Sequence, residues 1–479
     1  MTHLRIDNAV VVTMDETRRV IENGSVAVEG ERIAAVGPTA SLAQSHPADE
    51  VIDAAGMAAM PGFVDVHAHA GHGLIKTMGG GDNEAWYAAC RDVYTVASDP
   101  EFWRAEAALA GLERLKAGVT TGASLLGGGD SVMRTDRREH GDAHLDAISA
   151  LGIRVQLAIG PTRPPYPWTY ASWDKGEKQE YTVTFEEQIA TCKALIRDRH
   201  GSDGRRLNIA MLSPTLRREH LDNASPTEVE EMVFQAKAAS NVAREFGLIF
   251  TQDGHKQGTV AFAQEKLGIL GPEALLSHST DFTDDEIAIC ADTDTKIAHN
   301  PSAVASIVGR CRVVEMMDAG VTVGLGSDGT APDRSGDMFR HIQQAMHYHR
   351  RHFRDPGILP PGRVLEMATI DAARALGMDA DIGSLDAGKL ADVILIDLKK
   401  PHLYPPNMPL YRIACFANGA DVDTTIVNGK VLMRGRTALT VDEGKVLADA
   451  ARATETMLER TGLTALLETP ETFFGSTHY

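Results

Sequence analysis

Met60-Pro61-Gly62-Phe63-Val64-Asp65-Val66-His67-Ala68-His69-Ala70-Gly71-His72 is the stretch from which the rest of the chain is read. A short apolar run, Phe63 to Val66, ends in His67 and His69. On a β-strand, residues i and i+2 share a face, so both imidazoles project together from one strand end. Two adjacent neutral imidazoles are a common start for a metal site. Taken alone, they fit two satisfied loop histidines equally well. The decision rests on whether other strand ends supply further ligands.

Outward from this stretch, apolar strand-like runs alternate with segments of helical period. Eight runs stand out: 63–67, 119–124, 153–159, 207–212, 247–252, 274–279, 296–300 and 321–327. Amphipathic stretches separate them, for example 101–116, 226–246, 284–292 and 312–319. Continuous apolar strands separated by helices imply a parallel sheet covered on both faces. Eight such units over roughly 260 residues predict an α/β chain built on a (β/α)8 TIM-type barrel. A doubly wound open sheet is the alternative, but no Gly-X-Gly-X-X-Gly turn follows an early strand. Residues 3–60 read as short strands, with a possible turn near Ser41. Strand rhythm returns at 392–396, at 422–427 and, after the hairpin signal Asn428-Gly429, at 430–433. The two ends are expected to form one small composite β-sandwich. Its N-terminal portion is predicted at 1–60 and its C-terminal portion at 378–440. The barrel is predicted at 61–377 between them, and a C-terminal helix and tail at 441–479.

The 479 residues carry a formal net charge of −19, with 43% apolar and 24% charged residues. No basic stripe interrupts that acidity, which argues against nucleic acid and membrane as partners. Five dispersed cysteines without a Cys-X-X-Cys argue against a disulfide framework. No signal-peptide h-region or membrane span is visible, so a cytoplasmic homo-oligomer acting on a small molecule is expected.

In a barrel of this type, residues at the C-terminal ends of the strands face one common site. His67 and His69 end strand one, His278 ends strand six, His299 ends strand seven and Asp328 ends strand eight; His255 lies three residues past strand five. Of 18 histidines, that many at strand ends is not what a set of scattered core histidines would produce.

The motifs Pro-Gly-Phe-Val-Asp-Val-His-Ala-His (61–69), Gly-Val-Thr-Thr (118–121), His-Asn-Pro-Ser (299–302), Gly-Leu-Gly-Ser-Asp-Gly (324–329) and Gly-Ser-Leu-Asp-Ala-Gly-Lys-Leu-Ala-Asp (383–392) occur in this order. With them the chain resembles the metal-dependent amidohydrolase superfamily. Within it, the likeness is to the branch holding atrazine chlorohydrolase, triazine hydrolases, and cytosine and guanine deaminases. The resemblance implies one divalent metal ion per chain. Zinc is the expected ion, and cobalt, iron or manganese are the alternatives. His67, His69 and Asp328 would be ligands, with Asp328 also the base that takes a proton from metal-bound water. His278 would touch the attacked centre and polarise the substrate. Strand four, Leu-Asn-Ile-Ala-Met-Leu-Ser-Pro-Thr, lacks the lysine that bridges two metals in binuclear members.

Strand five departs from the branch pattern. His-X-X-Glu is usual there, and this chain has Thr251-Gln252-Asp253-Gly254-His255. Aligned by register, Gln252 replaces the histidine and His255 the glutamate. Gln is a poor ligand beside imidazole, so His255 is expected to reach in as metal ligand and catalytic group, with Gln252 contacting substrate. Without the usual glutamate, hydrolysis of a urea, carbamate or thiocarbamate is the expected reaction, as in the phenylurea and molinate hydrolases, which the chain resembles less closely. The alternatives are deamination or dechlorination of an N-heterocycle (triazine, purine, pyrimidine or pterin) and a non-catalytic scaffold. His299 and Asn300 are expected to bind substrate. So are Trp168 and Tyr170, within an aromatic lid that includes Tyr166 and Trp173. The glycine runs 79–81 and 127–129 fall in loops after strands one and two, and His341, His347, His349 and His352 are expected on a solvated or interface face.

Overall fold

In the computed structural model, residues 2–80, 82–128, 132–174, 176–303 and 309–475 are described. Gly81 and Gly129, which close the two glycine runs, lie outside them. Eight parallel strands form the central sheet: Phe63–Asp65, Val119–Leu126, Arg154–Ile159, Leu207–Leu212, Phe250–Gln252, Ala274–Ser277, Lys296–His299 and Val323–Leu325. They neighbour one another in chain order. Strand one meets strand eight where the Val66 amide donates to the Leu325 carbonyl at 3.1 Å. The sheet is thus a nearly closed barrel.

The strands read as unbroken apolar runs because both faces are covered. Every residue of Val119–Leu126 is buried, as is every residue of Leu207–Leu212. Four of the helices between them start at side-chain caps. Asp99 accepts from the Phe102 amide ahead of Pro100–Lys116. Thr184, Ser225 and Thr283 form capping boxes with Glu187, Glu228 and Glu286. Each cap is worth about 1 kcal/mol. Pro100–Lys116 packs Phe102 and Trp103 against the barrel, and Met338–Phe353 sets Phe339 edge-on to Phe63, with centroids 4.9 Å apart.

The terminal segments build a second, nine-stranded sheet. Its seam joins Met57–Pro61 antiparallel to Val393–Asp397, pairing Met60 with Ile394. Ser41 lies in a seven-residue helix, Thr39–Ser45. Arg154 on barrel strand three donates to Asp392 and to Asn428, both from the second sheet, and to Thr121 at 2.9 Å. This buried ion pair fixes the sheet against the barrel's N-terminal face, away from the strand ends that carry the site. The five cysteines are unpaired. No helix among the described residues is long and apolar enough to cross a membrane.

His341 and His349 lie on one buried face of Met338–Phe353, not on a solvated one. His341 bonds the Ser302 hydroxyl and the Ser335 carbonyl, while His349 Nε2 faces His299 Nε2 at 3.4 Å. Residues eight apart on a helix share a face, which places both rings inward.

Candidate metal centre

Strand one delivers its two histidines as the alternation requires. Their rings stand edge to face, centroids 5.3 Å apart. Beneath them, fully buried Asp65 ties strand one to strand eight. Its carboxylate accepts from the Ser327 amide at 2.9 Å, the Ser327 hydroxyl at 2.6 Å and the Arg114 guanidinium at 3.3 Å. The Asp328 amide in turn donates to the His67 carbonyl at 2.8 Å. Gly326 lets the two strands approach this closely, since a Cβ there would meet Asn300 Oδ1 at 2.3 Å and His67 at 2.9 Å.

Five side chains converge above this floor. His67 Nε2 lies 3.3 Å from Asp253 Oδ1 and 3.7 Å from Asp328 Oδ1. His69 Nε2 lies 3.5 Å from Asp253 Oδ2 and 3.2 Å from Asp328 Oδ1. His278 Nε2 lies 2.9 Å from Asp253 Oδ1. The orientations are braced. His69 Nδ1 donates to the Gly127 carbonyl at 3.2 Å, which directs Nε2 inward. Asp253 accepts from the Ser277 hydroxyl at 2.7 Å, and His278 Nδ1 faces the Asn300 amide at 3.4 Å. His278 and Asp328 hold φ of 64° and 62°, left-handed conformations that cost about 1–3 kcal/mol each and concentrate at functional sites.

Electrostatics follow from this packing. Burial opposes charge on His67, but the hydrogen bonds and charges of Asp253 and Asp328 outweigh it and raise its pKa to about 10. Burial likewise opposes the charge on Asp253; His278 and His67 overcome it and hold the carboxyl well below the usual carboxylate range. His67 and His69 do the same for Asp328 against the same burial penalty. Two buried carboxylates kept ionised by imidazoles are a place where a cation can replace protons.

The donor set fits a divalent metal. His67, His69 and Asp253 place donor atoms within 4.8 Å of one another, and so do His67, His278 and Asp328. His67 Nε2 is buried without a hydrogen-bond partner of good geometry, aimed between the carboxylates. Imidazole and carboxylate together suit zinc and its neighbours in the first transition row.

Strand five differs from the sequence reading. Gln252 does not face the histidine pair; its amide donates to the Ser213 hydroxyl at 3.0 Å and the Pro214 carbonyl at 3.1 Å. His255 does not enter the cluster either. Its Nε2 meets Gln252 Oε1 at 3.2 Å and its Nδ1 meets the Thr259 hydroxyl at 2.8 Å. Burial, then the charge of Arg217, pushes its pKa to about 3, so it lines the cavity as a neutral ring. Asp253, passed over in the sequence, takes the position between the histidines. Neighbouring residues leave a strand in opposite directions, so Gln252 and Asp253 cannot both face the site. Gly254, with φ of 80°, then turns the chain away.

A cavity of about 330 Å³ opens above the cluster. His69, His72, Trp86, Asp253, His255, His278 and Asp328 line it, with Arg217, Lys256 and Arg334. The expected aromatic lid is absent from its walls. Trp168 and Tyr170 lie on a hairpin of Trp168–Asp174 and Glu177–Val183. Trp168 donates to the Arg163 carbonyl at 2.6 Å and Tyr170 to the Met133 carbonyl at 2.9 Å, so both are spent on anchoring that hairpin. His299 and Asn300 also sit behind the cavity. His299 faces His349, and Asn300 bonds His278 Nδ1 without itself lining the cavity. The aromatic wall is Trp86, whose ring stands 5.2 Å from His72, itself stacked on His69 at 4.8 Å. Trp86-Tyr87, on the helix Asn83–Asp92 that follows strand one, was the readable signal for it, in a chain with 5% aromatics.

A family model described as "Amidohydrolase family" matches residues 58–432, and one described as "Imidazolonepropionase-like composite domain, bacteria" matches residues 26–48. A 5-methylthioadenosine/S-adenosylhomocysteine deaminase of Desulforudis audaxviator is 33% identical over 447 residues, covering 91% of this chain and 95% of that protein. A 5'-deoxyadenosine deaminase of Methanosarcina acetivorans is 30% identical over 470 residues, covering 96% and 99%. Among solved structures, an adenosine deaminase from Xanthomonas campestris with bound zinc superposes with a TM-score of 0.79 at 21% identity, covering 96% of this chain and 99% of the other. Atrazine chlorohydrolase from Arthrobacter aurescens TC1 complexed with zinc gives 0.75 at 22% identity, covering 94% and 100%. At those identities the two structures speak for the fold.

Proposed function

The chain belongs to the amidohydrolase family, and from that premise we propose that it is a hydrolytic deaminase of an amino-substituted N-heterocycle, with 5'-substituted adenosines the leading class. The observation that carries this is the near full-length similarity to deaminases named for such nucleosides. The relatives named above support this alternative rather than the urea, carbamate or phenylurea expectation.

The reaction consumes water and releases ammonia, turning the exocyclic C–NH2 of the ring into C=O. A divalent cation held by His67, His69, Asp253 and Asp328 would supply Lewis acidity and lower the pKa of water; zinc, one ion per chain, is the proposed occupant. Asp328, ionised and 3.2 Å from His69, takes the proton from the attacking water. It then passes that proton to the departing amine, which leaves as ammonia, while the water's second proton ends on the ring nitrogen beside the new C=O. His278, braced at Nδ1 by Asn300, presents Nε2, which it shares with Asp253 at 2.9 Å, to the oxygen that becomes the product carbonyl. Trp86 packs on the ring and keeps the floor dry.

Ammonia release from a panel of 5'-substituted adenosines, aminopurines, aminopterins and aminotriazines, beside ureas and carbamates, tests the reading. Turnover of an amino heterocycle with stoichiometric ammonia is expected. Amine or thiol release from ureas or carbamates alone would reject it.

A further inference from the structure

We propose that Arg334 recognises an oxyanion on the substrate, so that this site selects amino heterocycles bearing a carboxylate or phosphate group. The inference rests on the deaminase reading for the reacting end of the substrate and concerns the opposite end.

Among the described residues, three cations, Arg217, Lys256 and Arg334, line the cavity outside the floor, with one carboxylate, Glu219. Lys256 and Glu219 pair at 2.8 Å and cancel. A divalent cation on the floor would likewise balance Asp253 and Asp328. What remains on this wall is the charge of Arg334, in a chain whose formal net charge is −19. A cationic group in the wall of a cavity inside an acidic protein acts locally, on whatever enters the cavity.

Arg334 is the most informative member of the three. It follows Asp328 by six residues, in the loop that leaves strand eight, and is half-buried. Its Nε donates to the Ser302 carbonyl at 3.1 Å and its Nη1 to the Ala331 carbonyl at 3.2 Å. Neutral carbonyls hold the guanidinium in place without cancelling its charge. Among the described residues no carboxylate pairs with it, and its Nη2 makes no hydrogen bond. A fork fixed in orientation with charge and donors to spare is suited to carboxylate or phosphate. His72, buried in the same wall with neither ring nitrogen hydrogen-bonded, adds polar capacity beside Arg334.

The test uses matched substrates sharing one amino heterocycle and carrying a neutral, a carboxylate or a phosphate substituent. kcat/KM is measured on wild type, Arg334→Gln and Arg334→Lys, with unfolding temperature recorded for each. Wild type should favour one or both anionic members by about 10- to 100-fold, the span of a hydrogen-bonded charge. In Arg334→Gln the anionic-to-neutral ratio should collapse towards 1, mainly through KM, and Arg334→Lys should keep some of it. The carboxylate and phosphate arms identify which anion is read. The same three proteins are titrated calorimetrically with the corresponding oxo products, so the charge preference is read even where turnover is absent. If only ureas or carbamates react, the deaminase reading fails, and the Arg334 ratio is measured on charged and neutral members of that class. Equal losses on neutral and anionic ligands, or a wild type that prefers neutral ones, would overturn the proposal and leave Arg334 as a brace for its loop.

Discussion

Replacing Asp253 by asparagine separates the metal centre seen in the structure from the one expected at Gln252 and His255. The substitution keeps shape and one acceptor for the Ser277 hydroxyl, but removes a charge that stands 3.3 Å from His67 Nε2 and 3.5 Å from His69 Nε2. Unit charges 4 Å apart at an effective dielectric of 20 interact by about 4 kcal/mol. A divalent cation in that gap therefore loses at least about a thousandfold in affinity. Metal content after dialysis and competition with a chromogenic chelator read the effect directly, with near-ultraviolet circular dichroism confirming the fold. His255→Ala should weaken affinity by about tenfold or less. Its ring bonds Gln252 Oε1 and the Thr259 hydroxyl rather than a ligand, and even a direct partner of a ligand costs only about 10- to 100-fold. Asp253→Asn with wild-type affinity, beside a His255→Ala variant that loses its metal, would refute the geometry.

Three further outcomes follow from the same arrangement. Asp328→Asn should lower kcat by about 10²–10⁴-fold, the usual value of a positioned base, with an unchanged unfolding midpoint in denaturant; a rate within threefold of wild type would remove its role as base. Trp86→Ala should raise KM by about tenfold, as truncating a packed aromatic anchor does, whereas Trp168→Ala should leave KM within about twofold; the reverse order would restore the lid. His144, pushed down to about 3 by burial and then Arg114, is neutral in the fold and protonates near 6.5 when unfolded. Its contribution is therefore intact above about pH 6.5 and is lost as pH falls towards 3, the loss reaching about 2 kcal/mol at pH 5. Denaturant unfolding at pH 7 and pH 5 should show a smaller difference for His144→Gln than for wild type; an equal difference would count against it.

Much of the site's framework was legible because it depends on local periodicity. The two-residue spacing of His67 and His69 fixes their common face in any strand, and the eight apolar runs specify a covered parallel sheet. Asp328 and His278 were found for the same reason, by their places at strand ends. The aromatic cluster at 166–173 misled because composition does not show direction. Trp168 and Tyr170 donate their polar hydrogens to backbone carbonyls of neighbouring loops, and only the fold reveals that. The inward faces of His341 and His349 were hidden likewise, since a helix of mixed composition does not announce what packs against it.

The sequence by itself determined the barrel, the composite terminal sheet and the strand ends from which a site could be built. Tertiary structure alone decided which strand-five side chain joins His67 and His69. Gln252, Asp253 and His255 are consecutive or nearly so, and a one-residue change of register reverses which side chain faces inward. That register is set by the pairing of Phe250–Gln252 with strands four and six and by the turn at Gly254. Through those long-range hydrogen bonds Asp253 comes to lie between the two histidines.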